Sequence, residues 1–262
     1  MIEVNADLLR HIEGIAVMAG EAITEIYQKD FAVDYKSDES PLTEADTCAN
    51  RIILDELRKL HPNTHILSEE SSEYFQQAQT PDEYFLVDPL DGTKEFIKKN
   101  GEFTVNIALI QRGVSVLGVV YAPVLKSLYS GAKGIGAFLS NDDGRKSINV
   151  NPQQSPVRIL VSRSHLDPKT GQFMVQFDGH IPIPMGSSLK MCLIASGEAD
   201  IYPRFGPTSL WDTAAAQAVL EEAGGVMVDL TGKPLSYANP KQVLNSEFIA
   251  TSLDWKLIQK KL

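Results

Sequence analysis

Only two cysteines, Cys48 and Cys192, occur in 262 residues. Each sits in a stretch of helical periodicity rather than in a closely spaced set, which excludes a disulfide framework and a thiolate zinc site. Positive charge is also scarce. Twenty-four Lys and Arg against 34 Asp and Glu leave a formal charge of −10, with none of the basic clustering that a nucleic-acid polymer requires. No 18 apolar residues run together, and Glu3, Asp7, Arg10, His11, Glu13 and Glu21 interrupt any signal-peptide core near the start. Repeats and low-complexity tracts are missing too. The histidines offer no metal site: Pro62 separates His61 from a shared helical face with His65, and His11 and His180 lack partners at ligand spacing. These absences describe a soluble protein of a reducing compartment, expected in the cytoplasm. Loose contact with the inner face of the membrane stays open, as does the choice between monomer and homodimer.

What is present is 43% hydrophobic residues, enough for a large core. Leu8, Ile12, Ile15, Ala19, Ile23 and Ile26 recur at steps of three and four, predicting an amphipathic helix. A second helix is expected from near Thr43 to the His61-Pro62 pair, with Ala45, Ala49, Ile52, Ile53, Leu57 and Leu60 on its apolar side. The texture then changes to short apolar runs, HIL, YFLV, FTVNIALIQ and VSVLGVVYAPV, which read as sheet. Gly131, Gly134 and Gly136 read as a turn between strands, since they match neither common phosphate-loop pattern. Residues 141–156 are polar and turn-rich, which places a boundary between halves 1–150 and 151–262. The second half alternates VRILV, SSLKMCLIAS, ADIYP, WDTAAAQAVLEEAGG, GVMVDL and FIATS as strands and helices. The fold class is α/β, an α+β layered sandwich.

The chemistry is carried by acids at element ends. Asp88 and Asp91 in VDPLDGTKEF flank Pro89, which should stop regular pairing and leave both in a turn at the mouth of the sheet. Asp, Pro and Gly are common turn residues, so an acidic surface turn is an alternative reading. Glu69 in SEES and Asp212 in LWD also follow a strand or open a helix. Oxygen-only clusters of this kind suit hard cations such as Mg²⁺. D-G-T occurs as well in phosphatases with an aspartate nucleophile in D-x-D-G-T, but the three-residue spacing of Asp88 and Asp91 argues against that chemistry. Thr43 and Asp46 read as a capping box at the second helix, and Asp46 is also a candidate to orient a proton acceptor in the cleft.

The segments LTEAD at 42–46, SEES at 68–71, DPLDGT at 88–93 and LWD at 210–212 resemble, in order and spacing, the inositol monophosphatase superfamily of lithium-sensitive, Mg²⁺-dependent phosphatases. DPLDGTKEF followed by NGEFTVNIAL is similar to its 3'(2'),5'-bisphosphate nucleotidase branch, which acts in sulfur assimilation. The resemblance implies a five-layer αβαβα sandwich whose two halves share a cleft. It implies two or three Mg²⁺ ions, held by Glu69, Asp88 and the Leu90 carbonyl at one position and by Asp88, Asp91 and Asp212 at another. Thr93 with Asp46, helped by Glu69, would position the attacking water. Asp91, Gly92, Thr93 and Asp212 would also meet the substrate. Ser187 and Lys190 of GSSLK, Arg204 of YPRFG and His165 of VSRSH would contact a nucleotide bisphosphate, with Lys190 and Arg204 on the phosphate that is not cleaved. The helix start after Gly186 would suit an anion. Lys36 and Lys94 lie near acid segments and read as exposed lysines or phosphate contacts.

The implied reaction converts adenosine 3',5'-bisphosphate to AMP and phosphate by metal-activated water. An inositol or sugar phosphate monoesterase with the same acids is the nearest rival. A regulatory protein that keeps the fold and contacts RNA or transcription machinery is another, and the charge of −10 speaks against RNA.

Overall fold

The computed structural model describes residues 1–29, 33–35, 41–71, 81–152, 155–163 and 167–262. In chain order the elements begin with α1 (Ala6–Tyr27), β1 (Val33–Tyr35), β2 (Pro41–Thr43), α2 (Glu44–Leu60), β3 (His65–Ser68), β4 (Glu83–Asp91) and α3 (Thr93–Ile97). They continue with β5 (Thr104–Gln111), β6 (Val114–Ala122), β7 (Ser127–Ala132), β8 (Gly136–Asn141), β9 (Gly144–Ile148), β10 (Arg158–Ser162) and α4 (Pro168–Met174). The last are β11 (Ile181–Met185), α5 (Leu189–Ala195), β12 (Ile201–Arg204), α6 (Leu210–Glu222), β13 (Val226–Asp229), β14 (Phe248–Thr251) and α7 (Trp255–Gln259).

Strands β3 to β9 form a seven-stranded sheet in sequence order, and a five-stranded sheet runs β11-β10-β12-β14-β13. Alternation along the strands sorts their side chains into separate cores. Phe85, Val87, Ile107, Leu109 and Val119 join α1 and α2 on one face of the larger sheet, whereas Tyr84, Leu86, Ala108, Ile110 and Val120 join α5 and α6 on the other. The same middle core takes Leu160, Tyr202, Phe248 and Ala250 from the second sheet. Ile159, Ile201 and Ile249 turn away from it, toward Phe173 of α4 and Ile258 of α7. The result is the αβαβα layering expected from the sequence.

Helix α6 is the central rod. Its Ala214, Ala215, Ala216 and Ala218 are buried, and small side chains let it lie close on the sheet. A Cβ built on Gly118 of β6 would fall 2.0 Å from the Ala215 carbonyl oxygen, so only glycine permits this approach. The contact seats α6 on β6, and Asp212 stands in the first turn of the helix.

Several elements were not expected. β9 lies in the segment read as a polar linker, and its burial pattern shows why: four of its five residues are exposed, with only Ile148 buried. β11 is an edge strand, IPIPM, whose prolines mask strand character. The short helices α3 and α4 also went unread. Of the three glycines read as a turn, Gly134 lies between β7 and β8, whereas Gly131 is inside β7, where a Cβ would meet the Val219 backbone at 2.8 Å.

Candidate active site

The expected turn at Asp88 is instead a bulged strand. Asp88 pairs with Asn106 and Asp91 with Thr104, so two residues of β4, Pro89 and Leu90, stand opposite one residue of β5. A spacing of three would place the aspartates on opposite faces of a regular strand. The extra residue restores parity, so both side chains turn to the α6 side while Leu90 packs into the α1 and α2 core. Gly92, with φ of 95°, then swings the chain into α3. A Cβ there would lie 3.2 Å from the Glu102 carbonyl oxygen.

Carboxylate oxygens of Asp88, Asp91 and Asp212 lie within 4.8 Å of one another. Each acid has one oxygen fixed by a backbone donor. Asp88 Oδ1 accepts the Leu90 N–H at 3.0 Å. Asp91 Oδ2 accepts the Ser188 N–H at 2.6 Å. Asp212 Oδ2 accepts the Ser209 N–H at 2.9 Å, in the manner of a capping box at α6. Asp46 does the same at α2, its Oδ2 accepting the Thr43 N–H at 2.8 Å and the Thr43 hydroxyl at 2.6 Å. Its Oδ1 is approached by the Thr93 hydroxyl at 3.4 Å, which is also 3.4 Å from the Leu90 carbonyl oxygen. The cap and the cleft contact therefore use different oxygens of one side chain.

Asp88 is 1% exposed, and its Oδ2 is buried with no hydrogen-bond donor among the described residues. Burial pushes its carboxyl well above the usual range, and the charges of Glu69, Asp91 and Asp212 add to the shift. Glu69, in the turn after β3, is also close enough to share a proton with it. Asp212 is pushed up to about 8, by burial first and by Asp91 second. Two carboxylates about 4 Å apart repel by about 4 kcal/mol at an effective dielectric near 20. A neutral hydrogen bond returns only about 1 kcal/mol. The cluster therefore holds either protons or a cation, and its all-oxygen donor set with one orphaned buried acceptor fits a hard divalent ion.

Beside the cluster lies a cleft of about 170 Å³ lined by Asp91, Gly92, Ser187, Lys190, Arg204 and Asp212. Lys190 is 7% exposed. Its ammonium donates to the Ser187 carbonyl oxygen at 2.6 Å and stands 5.1 Å over the Tyr202 ring. Burial lowers its pKa to about 8. Arg204 donates through Nη2 to the Pro207 carbonyl oxygen. Its buried Nε and the Thr208 hydroxyl have no partner among the described residues. Two unsatisfied donors beside an ammonium suit an anionic oxygen. Lys94 also lines the cleft, whereas His165 and Lys36 lie outside the described residues. Wider grooves exist, including one of about 710 Å³ between α1 and β6 to β8, but none of the clustered carboxylates lines that one.

Two residues near the acids were not singled out in the sequence: Ser188, whose hydroxyl is 2.6 Å from Asp91 Oδ2, and Asn106, which donates to that hydroxyl at 2.8 Å. A polar Asn inside the apolar run FTVNIALIQ was the available signal. The expected anion site at the start of α5 is altered accordingly, because the Ser188 N–H already serves Asp91.

The sequence profile of the Inositol monophosphatase family matches residues 5–261. The 3'(2'),5'-bisphosphate nucleotidase CysQ of Salmonella typhimurium is 47% identical over 246 residues, covering 93% of this chain and 99% of its own. The protein of the same description from Escherichia coli K12 is 47% identical over 243 residues, with 92% and 98% coverage. Among solved structures, CysQ from Bacteroides thetaiotaomicron, a bacterial member of the inositol monophosphatase family, superposes with a TM-score of 0.80 at 36% identity, covering 94% of this chain and 98% of its own. The Thermotoga maritima IMPase gives 0.81 at 25% identity, with 97% and 96% coverage.

Proposed function

The chain belongs to the inositol monophosphatase family, and from that premise we propose that it is a Mg²⁺-dependent 3'(2'),5'-bisphosphate nucleotidase. It hydrolyses the 3'-phosphate of adenosine 3',5'-bisphosphate to give AMP and phosphate, an activity we place in sulfur assimilation. The observation that carries this reading is one cleft lined both by acids, Asp91 and Asp212, and by cations, Lys190 and Arg204. The acids serve the phosphate that leaves and the cations the phosphate that stays. Relatives named for this activity, 47% identical over nearly the whole chain, support the choice of substrate.

Glu69, Asp88, the Leu90 carbonyl, Asp91 and Asp212 would hold two or three Mg²⁺ ions. When bound, Mg²⁺ neutralises the phosphoryl oxygens, lowers the pKa of the attacking water and stabilises the leaving oxygen. The chain's own part is orientation and proton handling. The Thr93 hydroxyl donates toward Asp46 Oδ1, which leaves its lone pair to accept a proton from water in the cleft. Asp46 cannot swing away, because its other oxygen is held by the cap of α2. Water attacks phosphorus and gives up a proton toward Thr93 and Asp46, the bond from phosphorus to the ribose 3'-oxygen breaks, and that oxygen takes up a proton from solvent.

No helix among the described residues is long and apolar enough to cross a membrane, and both cysteines are free thiols, which fits the cytoplasm. Lithium sensitivity goes with the family reading. The test is phosphate release by purified protein from adenosine 3',5'-bisphosphate and from inositol 1-phosphate, with Mg²⁺ and then with chelator. Chelator-sensitive preference for the nucleotide is expected. Preference for inositol phosphate would discard the roles given to Lys190 and Arg204, and release from neither would discard the enzyme reading.

A further inference from the structure

We infer that Ser188 is a positioning residue that sets the geometry of the acid cluster. It ties the acid cluster to the segment that carries Ser187 and Lys190. The inference rests on the metal reading of Asp88, Asp91 and Asp212.

Ser188 is the N-cap of α5, yet its side chain makes no capping bond. Serine is favoured at such positions because its hydroxyl normally accepts a backbone N–H from the first turn. Here the hydroxyl is turned away from the helix. It lies 2.6 Å from Asp91 Oδ2 and 2.6 Å from the Asp212 carbonyl oxygen, so its single proton has two acceptors on two different elements. Its lone pair accepts Asn106 Nδ2–H at 2.8 Å, and Asn106 is the strand partner of Asp88. One buried side chain, 1% exposed, thus touches Asp91, the backbone of Asp212 and the neighbour of Asp88.

The backbone is bent to allow this. Ser187 has φ of 46°, a left-handed conformation that costs a non-glycine residue free energy and persists where its surroundings enforce it. Gly186 before it packs so closely that a Cβ would lie 2.8 Å from the Glu102 carbonyl oxygen, and its N–H donates to Glu102 Oε2 at 2.8 Å. The bend aims both the N–H and the hydroxyl of Ser188 at one oxygen, Asp91 Oδ2. That oxygen is saturated, which leaves Oδ1 as the one Asp91 offers to a cation. Without this anchor Asp91 would be free to rotate away from the neighbouring carboxylates that repel it.

The experiment is titration of metal-free protein with Mn²⁺ in the absence of substrate, comparing wild type with Ser188→Ala and with Ser188→Gly, both of which keep the N–H donor and lose the hydroxyl. Loss of an outer hydrogen bond to a metal-ligating carboxylate lowers affinity by about tenfold or more, and that weakening is expected in both variants. The Mg²⁺ concentration for half-maximal turnover should rise in step, while the KM for nucleotide at saturating Mg²⁺ stays unchanged. In an Asp91→Ala background the further loss caused by Ser188→Ala should shrink, because one of the hydroxyl's two acceptors is gone. A folded Ser188 variant with wild-type Mn²⁺ affinity, or an equal loss in the Asp91→Ala background, would overturn the inference. If Ser188→Ala does not fold, Ser188→Gly decides by the same criterion. Failure of the wild type to bind Mn²⁺ would sink the metal reading itself.

Discussion

The Thr93 hydroxyl and Asp46 Oδ1 meet at 3.4 Å across 47 residues of sequence, while Asp46 Oδ2 closes the cap of α2 on Thr43. In the proposed mechanism one carboxylate thus has a structural and a chemical task, and two substitutions separate them. Asp46→Asn keeps an acceptor for the cap but cannot hold the proton relay, so kcat should fall by about a hundredfold or more. Thr43→Ala removes the capping hydroxyl and should cost about 1 kcal/mol of stability, with turnover nearly intact. Denaturant unfolding and steady-state kinetics on both variants check this. Equal loss of turnover in the two would show that Asp46 acts only as a cap.

The raised carboxyls make metal binding a proton exchange. Burial, and next the charge of Asp91, push the Asp212 carboxyl up to about 8, against about 3.9 for an unfolded aspartate. Its preference for the protonated form adds stability that is fully present below the unfolded value and is lost as pH rises through about 8. Asp88 is shifted in the same direction. The metal-free protein should therefore lose this contribution steadily between about pH 4 and about pH 8, and the rise in Tm caused by Mg²⁺ should grow over the same range. Thermal melts with chelator and with Mg²⁺ at several pH values measure it. A Mg²⁺ stabilisation that shrinks as pH rises would refute the argument.

Lys190 sets the opposite limb. Burial lowers its pKa to about 8, with Asp91 opposing and Arg204 assisting the shift. The ammonium we propose to face the retained phosphate is lost as pH climbs through that value, so kcat/KM for the nucleotide should decline above about pH 8. Lys190→Met should lower kcat/KM by about ten- to a hundredfold, as expected for a lost charge-assisted hydrogen bond, and should flatten the alkaline limb. Inositol 1-phosphate, which has no second phosphate, should be far less affected. An unchanged alkaline limb in Lys190→Met would remove Lys190 from the substrate wall.

The acids and the two large helices were legible because local rules produce them. Thr43 and Asp46 form the predicted cap, and Asp212 opens the predicted helix. The bulge was not legible. Pro89 does interrupt pairing, but only for Pro89 and Leu90, before the ladder resumes at Asp91. Whether a proline ends a strand or bulges it depends on the neighbouring strand, which sequence does not display. For the same reason the three-residue spacing does not by itself exclude a D-x-D-type site, since the bulge brings Asp88 and Asp91 to one side. Match to the family over residues 5–261 is what sets that rival aside. Ser188 escaped because its task depends on a contact 97 residues away.

The same middle layer permits a test of how far the site depends on packing. Gly118 has ordinary strand geometry, so its necessity is purely steric: a Cβ would sit 2.0 Å from the Ala215 carbonyl oxygen. That atom is helix backbone, which cannot rotate aside as a side chain does. Relief requires α6 to lift from β6, and Asp212 stands in the first turn of the same helix, three residues before Ala215. Gly118→Ala should therefore cost about 1 to 3 kcal/mol through overpacking. It should also weaken Mn²⁺ binding, although Gly118 is not part of the acid cluster. Gly134→Ala, at a turn where nothing lies within 4 Å of the added carbon, carries only the strain of its φ of 75°. It should lose stability without losing metal affinity. Paired measurement of unfolding free energy and Mn²⁺ affinity in the two variants distinguishes displacement of α6 from general destabilisation. Undiminished metal affinity in Gly118→Ala would mean that Asp212 is held by its own cap on Ser209 rather than by the seat of α6 on the sheet.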